Sequence, residues 1–522
     1  MRLGTVTIGV DLGTTNSCVT VLEDDDDPTV IHNREGARTT PSMVSFTPDG
    51  DAVVGAASKR QMVTNPARTI YGVKRLIGMR FDDPEIQRLR ETLPYKLVEA
   101  ENGDVRVESG GRVYSPEEIS AHILRTLKEV AEEYLGTKVK SAVITVPAYF
   151  DDVQRQATKD AGAIAGLEVR CIINEPTAAA LAYGFRKEAE QKKLAVFDLG
   201  GGTFDISIVA IEGGVFEVLA TAGDVELGGD DFDRSIIELL IQSFAEQHGT
   251  DLARDPVALQ RLKEAAERAK IELSSSMTTD VNLPFLAAND DGPVHFQREL
   301  KRGEIEQLCA ALVERLDQPC RHALSEAGLD VTEINEVLLV GGMTRMPMVQ
   351  RRVVDIFKKQ PSKGVNPDEI VALGASVQSG VLGGEIREVT LLDVTPRSLG
   401  LKVAGNRMSV LIPANTTIPH REKKIFATTE DEQTFVALEI YQGEHDDNVL
   451  ANRMLGRFVL TDLPNRPAGE VRVEVSFSVD PNGILSVVAT EHESGNEATI
   501  RIEASSGLSR GEVIELQLAA AH

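Results

Sequence analysis

A strand–turn–strand unit that occurs twice in this sequence limits its possible folds more than any other feature. The first copy runs from residue 5 to 21 and contains Asp11-Leu-Gly-Thr-Thr15, and the second runs from 193 to 209 and contains Asp198-Leu-Gly-Gly-Gly-Thr203. In each copy an apolar strand leads into Asp-Leu-Gly, a turn of glycine and threonine follows, and a second strand continues. Two such units predict two related lobes that face each other.

The chain divides into two regions of different periodicity. Up to about residue 385, buried strand patterns (141–146, 336–340) alternate with helical patterns (115–135, 255–273), which indicates an α/β architecture with covered sheets. From 395 to about 505 apolar and polar residues alternate, as in 434–441 and 471–479, and turn residues separate the runs. This second region predicts a compact antiparallel β domain, followed by one short helix over 509–521.

The segment between the two regions, 388–393, has the sequence Glu-Val-Thr-Leu-Leu-Asp. Ordinary linkers are polar and rich in Gly, Ser or Pro, so an apolar linker suggests a segment that docks on another part of the chain. An edge strand of a sheet explains the same composition equally well. The sequence leaves both interpretations open.

Composition excludes several function classes. The chain has 55 Lys and Arg against 81 Asp and Glu, a formal charge of −26, which argues against nucleic acid or an anionic membrane as the main partner. No apolar run reaches the roughly 18 residues of a membrane helix, and the N-terminus lacks a signal-peptide core. The four cysteines form no C-x-x-C pair and no evident disulfide framework. We therefore expect a cytoplasmic protein.

The repeated turns carry the first chemical signal. A turn of glycine and threonine offers backbone N–H groups and hydroxyls that suit a phosphate, and a carboxylate at the strand end can hold Mg²⁺ through its waters. One copy alone is a weak motif, but two copies can clamp one nucleotide from both sides. Gly341 and Gly342 follow another buried strand, where a base or ribose could approach the backbone; a helix-start turn explains them as well.

Phosphoryl transfer also needs a cation and a group that positions water. The phosphate-loop pattern and the protein-kinase signatures are absent, so these groups must lie elsewhere. Lys74 is a candidate cation, although its spacing alone favours a solvated surface lysine. Glu175 precedes a helix that starts with proline, where it could orient a water or favour the helix N-terminus.

The longer motifs together identify a family. The chain resembles the bacterial DnaK-type chaperones of the heat-shock 70-kDa family over nearly its whole length. The segments that carry the resemblance are 9–18, 145–150, 174–180, 198–205, 228–233, 267–274 and 339–347. Because they are long and occur in family order, a chance match is implausible.

The resemblance implies an α/β actin-like fold, a duplicated ribonuclease H-like arrangement of two lobes, as an ATPase domain over 1–387. The linker (388–393), an antiparallel β-sandwich peptide-binding domain (394–506) and the start of a truncated helical lid (507–522) would follow, with most of the lid missing. The implied function is an ATP-dependent chaperone that binds and releases extended hydrophobic segments, with ATP hydrolysis allosterically coupled to peptide affinity. The implied partners are unfolded polypeptides, a J-domain co-chaperone and a GrpE-type nucleotide exchange factor.

The resemblance also assigns roles to single residues. It implies ATP or ADP with Mg²⁺ as cofactors, K⁺ as a further candidate ion, and a catalytic role for Lys74, which reverses the interpretation from spacing. The catalytic set is Lys74, Glu175, Thr203, Asp11 and Asp198, and the metal set is Asp11, Asp198 and Asp205. The nucleotide set is Thr14, Thr15, Asn16, Gly200, Gly201, Gly202, Thr203, Glu267, Lys270, Ser274, Gly341, Gly342 and Arg345.

Two further sets concern peptide binding and its coupling to ATP. The peptide cleft would be formed by Leu401, Val403, Ala404, Phe426, Thr429, Val436, Leu438 and Val473, each of which could equally be an ordinary core position. The allosteric set is Pro147, Leu391, Leu392 and Asp393.

Three residues depart from the family pattern. Cys171 stands where an arginine is usual, near the expected co-chaperone contact, and the neighbouring Arg170 could compensate. Thr390 interrupts the leucine run of the linker, and Arg397 replaces an apolar residue after it. We expect weaker linker docking and an altered co-chaperone coupling, and a weakly coupled paralogue is one alternative function. Two others are a sugar or acetate kinase and a filament-forming relative of actin.

Overall fold

A computed structural model describes residues 6–23, 27–185, 191–250, 252, 255–289, 292–492, 497–501 and 507–520. Thr5 of the first repeat, Ala521 of the predicted C-terminal helix and residues 493–496 and 502–506 of the predicted β domain lie outside the described residues.

The first lobe contains the first repeat. Its strands are β1 (Thr7–Asp11), β2 (Asn16–Leu22), β3 (Pro28–Val30), β4 (Thr40–Pro41), β5 (Met43–Phe46), β6 (Ala52–Val54), β7 (Thr69–Tyr71), β8 (Lys96–Glu99), β9 (Val105–Ser109), β10 (Arg112–Tyr114), β11 (Ser141–Val146) and β12 (Glu168–Asn174). Its helices are α1 (Ala56–Lys59), α2 (Pro84–Thr92), α3 (Pro116–Leu135), α4 (Asp152–Ile164) and α5 (Glu175–Gly184). Ser115 caps α3 by accepting a hydrogen bond from the Glu118 amide.

The second lobe contains the second repeat. Its strands are β13 (Lys192–Leu199), β14 (Phe204–Glu212), β15 (Val215–Asp224), β16 (Thr278–Asn289), β17 (Gly292–Lys301) and β18 (Glu336–Val340). Its helices are α6 (Gly229–His248), α7 (Pro256–Ser275), α8 (Arg302–Leu308), α9 (Ala310–Glu314), α10 (Asp317–Glu326), α11 (Pro347–Phe357) and α12 (Ile370–Gly383). The strands expected over 141–146 and 336–340 are confirmed as β11 and β18.

The two repeats occupy equivalent places in two sheets. In the first lobe β1 and β2 form an antiparallel hairpin and β11 runs parallel to β1. In the second lobe β13 and β14 form the hairpin and β18 runs parallel to β13. Each sheet therefore carries its Asp-Leu-Gly turn at the same edge, and the mixed α/β architecture agrees with an actin-like fold.

Helices α5 and α12 join the lobes in a shared apolar core. Ala178, Ala179 and Ala180 of α5 and Ala375 of α12 are buried there with strand residues of both sheets. A Cβ atom on Gly374 would lie 1.8 Å from the Ala178 carbonyl oxygen, so only glycine allows this helix–helix approach. The small residues thus set the separation of the lobes.

The region after 395 forms two four-stranded antiparallel sheets among the described residues. Strand β19 (Thr390–Val394) precedes this region, and helix α13 (Arg510–Ala520) follows it. The strands within it are β20 (Leu399–Val403), β21 (Arg407–Ile412), β22 (Thr417–Ile418), β23 (His420–Ala427), β24 (Val436–Gln442), β25 (Arg453–Leu460), β26 (Arg472–Val479), β27 (Leu485–Glu491) and β28 (Glu497–Arg501). The sheet orders are β21-β20-β24-β25 and β23-β26-β27-β28. Apolar residues of both sheets form one core.

The apolar linker is a strand that extends the second lobe's sheet. Strand β19 pairs parallel with β15, with Leu391 opposite Phe216 and Leu392 opposite Glu217, and β22 pairs antiparallel with β19. Both open interpretations therefore hold at once, because the segment docks by becoming a strand.

The β domain also packs directly on the first lobe. Asp152, at the start of α4, accepts a 2.8 Å hydrogen bond from the Leu485 amide, and the Ile172 amide donates to Asn482 Oδ1 at 3.1 Å. Val153 is part of the β-domain core. Helix α13 returns to the same lobe, where Val513 and Leu516 pack on its core. The structure therefore represents an arrangement in which linker, β domain and C-terminal helix are all docked.

Candidate functional site

A cavity of about 410 Å³ lies between the two lobes, where the turns of both repeats meet. The predicted nucleotide and catalytic residues that line it are Asp11, Thr14, Thr15, Asn16, Lys74, Glu175, Asp198, Gly200, Gly201, Thr203, Glu267, Lys270, Gly341, Gly342 and Arg345. Gly202, Asp205 and Ser274 lie just outside its lining. Fifteen of these residues come from six separate stretches of sequence, and the fold brings them into one cleft.

The two Gly/Thr turns touch each other across the cleft. A Cβ atom on Gly201 would lie 2.1 Å from Thr15 Oγ1, and a Cβ atom on Gly202 would lie 3.0 Å from Thr14 Oγ1. Glycine is therefore required for the two turns to meet. Their backbone N–H groups and threonine hydroxyls form a polar cradle of the kind that phosphates occupy.

Three buried aspartates stand at the strand ends beside this cradle. Asp198 and Asp205 are cross-strand neighbours in the second hairpin, and Asp11 accepts a hydrogen bond from Thr145. Burial and, next, the charge of Glu175 raise the pKa of Asp11 and of Asp205 to about 7 and raise that of Asp198 as well. Three acids buried this close together favour the binding of a cation, because a nearby positive charge stabilises their ionised forms.

Direct metal coordination is not what the geometry favours. Within the described ranges no three His, Cys, Asp or Glu side chains lie close enough to hold a metal ion together. Mg²⁺ often keeps several of its waters and binds through one or two carboxylates and substrate phosphates. The donor set around Asp11, Asp198 and Asp205 fits that water-mediated mode.

Lys74 is a buried cation at the phosphate end of the cavity and pairs with Glu175. Lys74 lies in a short 3₁₀ turn and Glu175 at the first position of α5, and their side chains form a buried ion pair. Burial acts to lower the pKa of Lys74, but Glu175 and Asp11 outweigh it, so the pKa is raised and the ammonium is charged. The spacing-based expectation of a solvated lysine is wrong, because tertiary contacts bury the turn that carries it.

The opposite end of the cavity is built on α7. Glu267 pairs with Lys59 of the first lobe at 3.1 Å, and Lys270 pairs with Asp233 at 2.8 Å. Ser274 donates to the Lys270 carbonyl rather than lining the cavity. The Lys59–Glu267 pair crosses from one lobe to the other and so closes the cleft above this end.

Several lining residues were missed by sequence reasoning. Asp230, Asp233, Lys263 and Asp368 line the cavity, and Lys263 pairs with Asp230 at 3.3 Å. Lys263 shares a helix face with Glu267 and Lys270, four and seven positions on, which is the signal that could have found it. Asp368 pairs with Arg345 from a distant loop, and no local pattern indicates it.

The predicted allosteric residues connect this cavity to the linker. The Asp393 carboxylate accepts hydrogen bonds from Asn174 Nδ2 at 3.0 Å and Thr177 Oγ1 at 3.1 Å. Asn174 immediately precedes Glu175. Pro147 opens the turn in which the Tyr149 amide donates to Asp205. The linker is thus bonded to Asn174, and the next residue, Glu175, lines the cavity.

The residues predicted for the peptide cleft divide into two groups. Leu401, Leu438 and Val473 are buried in the β-domain core, with Phe426 and Val436 packed partly exposed against them. Val403 is half-buried, and Ala404 and Thr429 are exposed. The first group is brought together, whereas the three others lie outside that core cluster.

The residues that depart from the family pattern have definite places. Cys171 is buried in β12, and Arg170 beside it is exposed. Thr390 has an exposed side chain, while its amide donates to the Gly214 carbonyl. The loss of apolar area at Thr390 is therefore small, because a leucine there would also face solvent. Arg397 stacks its guanidinium over the Tyr149 ring.

Comparison with protein families agrees with this geometry. The family model described as Hsp70 protein matches residues 7–522 and so includes the β domain, which neither a small-molecule kinase nor an actin relative would explain. No helix in the described part of the chain is both long and apolar enough to cross a membrane. With almost the whole sequence matched, the chain belongs to the Hsp70 family.

Proposed function

We propose that this chain is a cytoplasmic, DnaK-type chaperone that couples ATP hydrolysis between its lobes to the binding of extended hydrophobic segments in its β domain. Hsp70 proteins are in general ATP-dependent chaperones that use ATP with Mg²⁺. They act on unfolded polypeptides together with J-domain proteins and nucleotide exchange factors, and we extend those partners to this chain. The observation that carries the coupling is the hydrogen bond from Asn174 to Asp393, one residue away from Glu175.

In the proposed reaction, water attacks the γ-phosphorus of ATP, the bond to the bridging oxygen breaks, and ADP and phosphate form. The Gly/Thr turns donate hydrogen bonds to the phosphates, and Lys74 supplies positive charge where charge develops. Glu175, held by its ion pair with Lys74, orients the attacking water. When bound, Mg²⁺ would neutralise phosphate charge, its waters held by Asp11, Asp198 and Asp205.

The peptide would bind at the β domain, which we interpret as a β-sandwich. Strands β21 and β23 lie at the ends of their sheets, and an edge strand can hydrogen-bond an extended peptide while apolar pockets take alternate side chains. The cluster of Leu401, Phe426, Val436, Leu438 and Val473 supplies such an apolar surface. In the docked arrangement three of these residues are buried in the β domain's own core.

A single-turnover assay tests the ATPase role of Lys74. Replacement of Lys74 by alanine should slow hydrolysis by about 100-fold or more, the usual cost of one preorganised charge at a reacting phosphate, while ATP affinity changes only a few-fold. Lys96→Ala removes an exposed ion-paired lysine and is the matched control. Near-normal hydrolysis in Lys74→Ala would refute the assignment.

The coupling is tested by the off-rate of a labelled apolar peptide with and without ATP. We expect ATP to accelerate release, and peptide to stimulate hydrolysis. ATP binding with an unchanged peptide off-rate would instead identify a weakly coupled member of the family, and hydrolysis that depends on a sugar would restore the kinase hypothesis.

A further inference from the structure

A second cavity, of about 180 Å³, begins where the nucleotide cavity ends. The two cavities share Thr14, Lys74 and Thr203, which are the residues placed at the phosphate end of the site. The far wall of the second cavity includes Arg397 and Arg453 from beyond the linker. It is therefore a space between the ATPase lobes and the β domain, and we refer to it as the arginine cavity.

Three arginines line this cavity with an unused donor. The Nε atoms of Arg75, Arg397 and Arg453 are buried, and within the described part of the chain none has a hydrogen-bond acceptor. The terminal nitrogens of Arg75 and Arg453 do have partners: Arg75 donates to the Gly202 carbonyl and Asp231. Since buried donors are rarely left unsatisfied, three such groups around one cavity show that this region holds more donors than acceptors.

Arg397 is the least neutralised of the three. Its guanidinium lies 4.3 Å from the centre of the Tyr149 ring, and no ion pair is formed with it among the described residues. By contrast, Arg453 Nη1 lies 3.2 Å from Asp83 and its Nε lies 3.7 Å from Asp151. An unpaired guanidinium against an aromatic face retains its attraction for an anion.

The balance of charge around the cavity also favours an anion. Its cations are Lys74, Arg75, Arg397 and Arg453, and its acids are Asp83, Glu85 and Asp151. Lys74 and Arg75 are also paired with Glu175 and Asp231, so Arg397 is the cation that carries the attraction for an anion. The pKa of Glu85 is raised to about 7, mainly by burial, so this acid is partly neutral near pH 7. With a liquid-water share of about 30 Å³ per molecule, the volume admits a small oxyanion and some of its water.

We propose that the arginine cavity receives inorganic phosphate after ATP cleavage and is the route by which phosphate leaves. This proposal rests on the ATPase function proposed above. The phosphate formed beside Thr203 and Lys74 enters the cavity at these shared residues and meets the guanidinium group of Arg397. Two of the three arginines belong to the β-domain side, so the site is complete only while that domain is docked.

Two measurements on the full chain test this role. The first is the affinity of inorganic phosphate for the Mg-ADP complex by calorimetry, and the second compares ATP cleavage by chemical quench with release to a fluorescent phosphate-binding protein. Replacement of Arg397 by leucine should weaken phosphate binding by about tenfold, as expected for one charged hydrogen bond, and lower the ratio of release rate to cleavage rate. Arg472→Leu, an exposed arginine of the same domain, is the control, and Arg397→Lys should restore part of the affinity because it keeps the charge.

The results separate the two proposals. If the wild-type chain cleaves no ATP in the quench assay, the proposed function fails. If it cleaves ATP but Arg397→Leu binds phosphate as tightly as wild type does, the phosphate route is wrong. Equal losses in Arg397→Leu and Arg397→Lys, with unchanged thermal unfolding, would also overturn it, because they would indicate the stacking on Tyr149 rather than the charge.

Discussion

Replacement of Asp393 by alanine should undock the linker without unfolding the lobes. The carboxylate accepts hydrogen bonds from Asn174, Thr177 and its neighbour Val394. Among the described residues it is the one side chain of β19 that hydrogen-bonds the helix carrying Glu175, since Thr390 is exposed and Leu391 packs on an apolar core. The free-energy difference between docked and undocked linker should therefore depend strongly on Asp393.

The structure allows an estimate of the size of this effect. Hydrogen bonds to a charged group contribute about 1.5–3 kcal/mol each, and two of them join Asp393 to α5 and its N-cap. Burial raises the pKa of Asp393, which shows that desolvation offsets part of the gain, so we take the lower end for each. The sum is about 3 kcal/mol, or a change of roughly 150-fold in the docking equilibrium.

Hydrogen exchange of residues 389–394 is the direct assay, because the Thr390 amide is bonded to Gly214 only in the docked strand. Exchange in this segment should accelerate by about 100-fold in Asp393→Ala, with the cores of both lobes unchanged. Glu388→Ala, an exposed acid next to the strand, is the matched control. Unchanged exchange at 389–394 would refute the reasoning, and acceleration throughout the chain would indicate global destabilisation instead.

Two further predictions concern the β domain. Burial raises the pKa of Asp152 to about 7 in the docked arrangement, so docking binds a proton and is favoured at low pH. As pH rises from about 6 to 7.5 docking should weaken by about 1 kcal/mol through Asp152, with little change above about pH 8. Asp152→Asn, which keeps the acceptor for the Leu485 amide, should remove this contribution in the same exchange assay and leave that of Asp393, whose pKa burial also raises. Val436→Phe should fill the apolar surface and lower the affinity for an extended peptide by about tenfold, as a clash costs about 1–3 kcal/mol. Fluorescence anisotropy of a labelled peptide measures this affinity, and Val459→Phe on the exposed face of β25 is the control. If Val436→Phe binds the peptide as tightly as the wild type does, Val436 does not belong to the cleft.

The parts of the fold that follow from local patterns could be predicted from the sequence. The duplicated hairpins, the strand at 141–146 and the helix after Ser115 depend on periodicity and capping, which adjacent residues determine. The clustering of the two Gly/Thr turns also followed, because a repeat implies equivalent places in two lobes.

What local pattern cannot encode is pairing between distant segments. The parallel pairing of β19 with β15 joins residues that are far apart in sequence, and the linker composition alone left docking and strand formation undecided. The burial of Lys74 depends on Glu175, about 100 positions later. Arg397 could be recognised as a departure from the family pattern, but its position beside the phosphate end of the cleft required the structure.

The order of residues at the start of α5 predicts that the proposed coupling acts in both directions. Asn174 stands at the N-cap position of the helix and its side chain bonds the linker, and Glu175, the next residue, is paired with Lys74 in the cavity. In the proposed mechanism, a shift of this helix end that accommodates a γ-phosphate at Lys74 would also move the donor that holds Asp393. By linkage, release of Asp393 changes nucleotide affinity by the same factor with which nucleotide changes docking. Asp393→Ala should therefore alter ATP affinity although Asp393 does not line the cavity, and an unchanged ATP affinity in an undocked variant would show that the two sites are energetically independent.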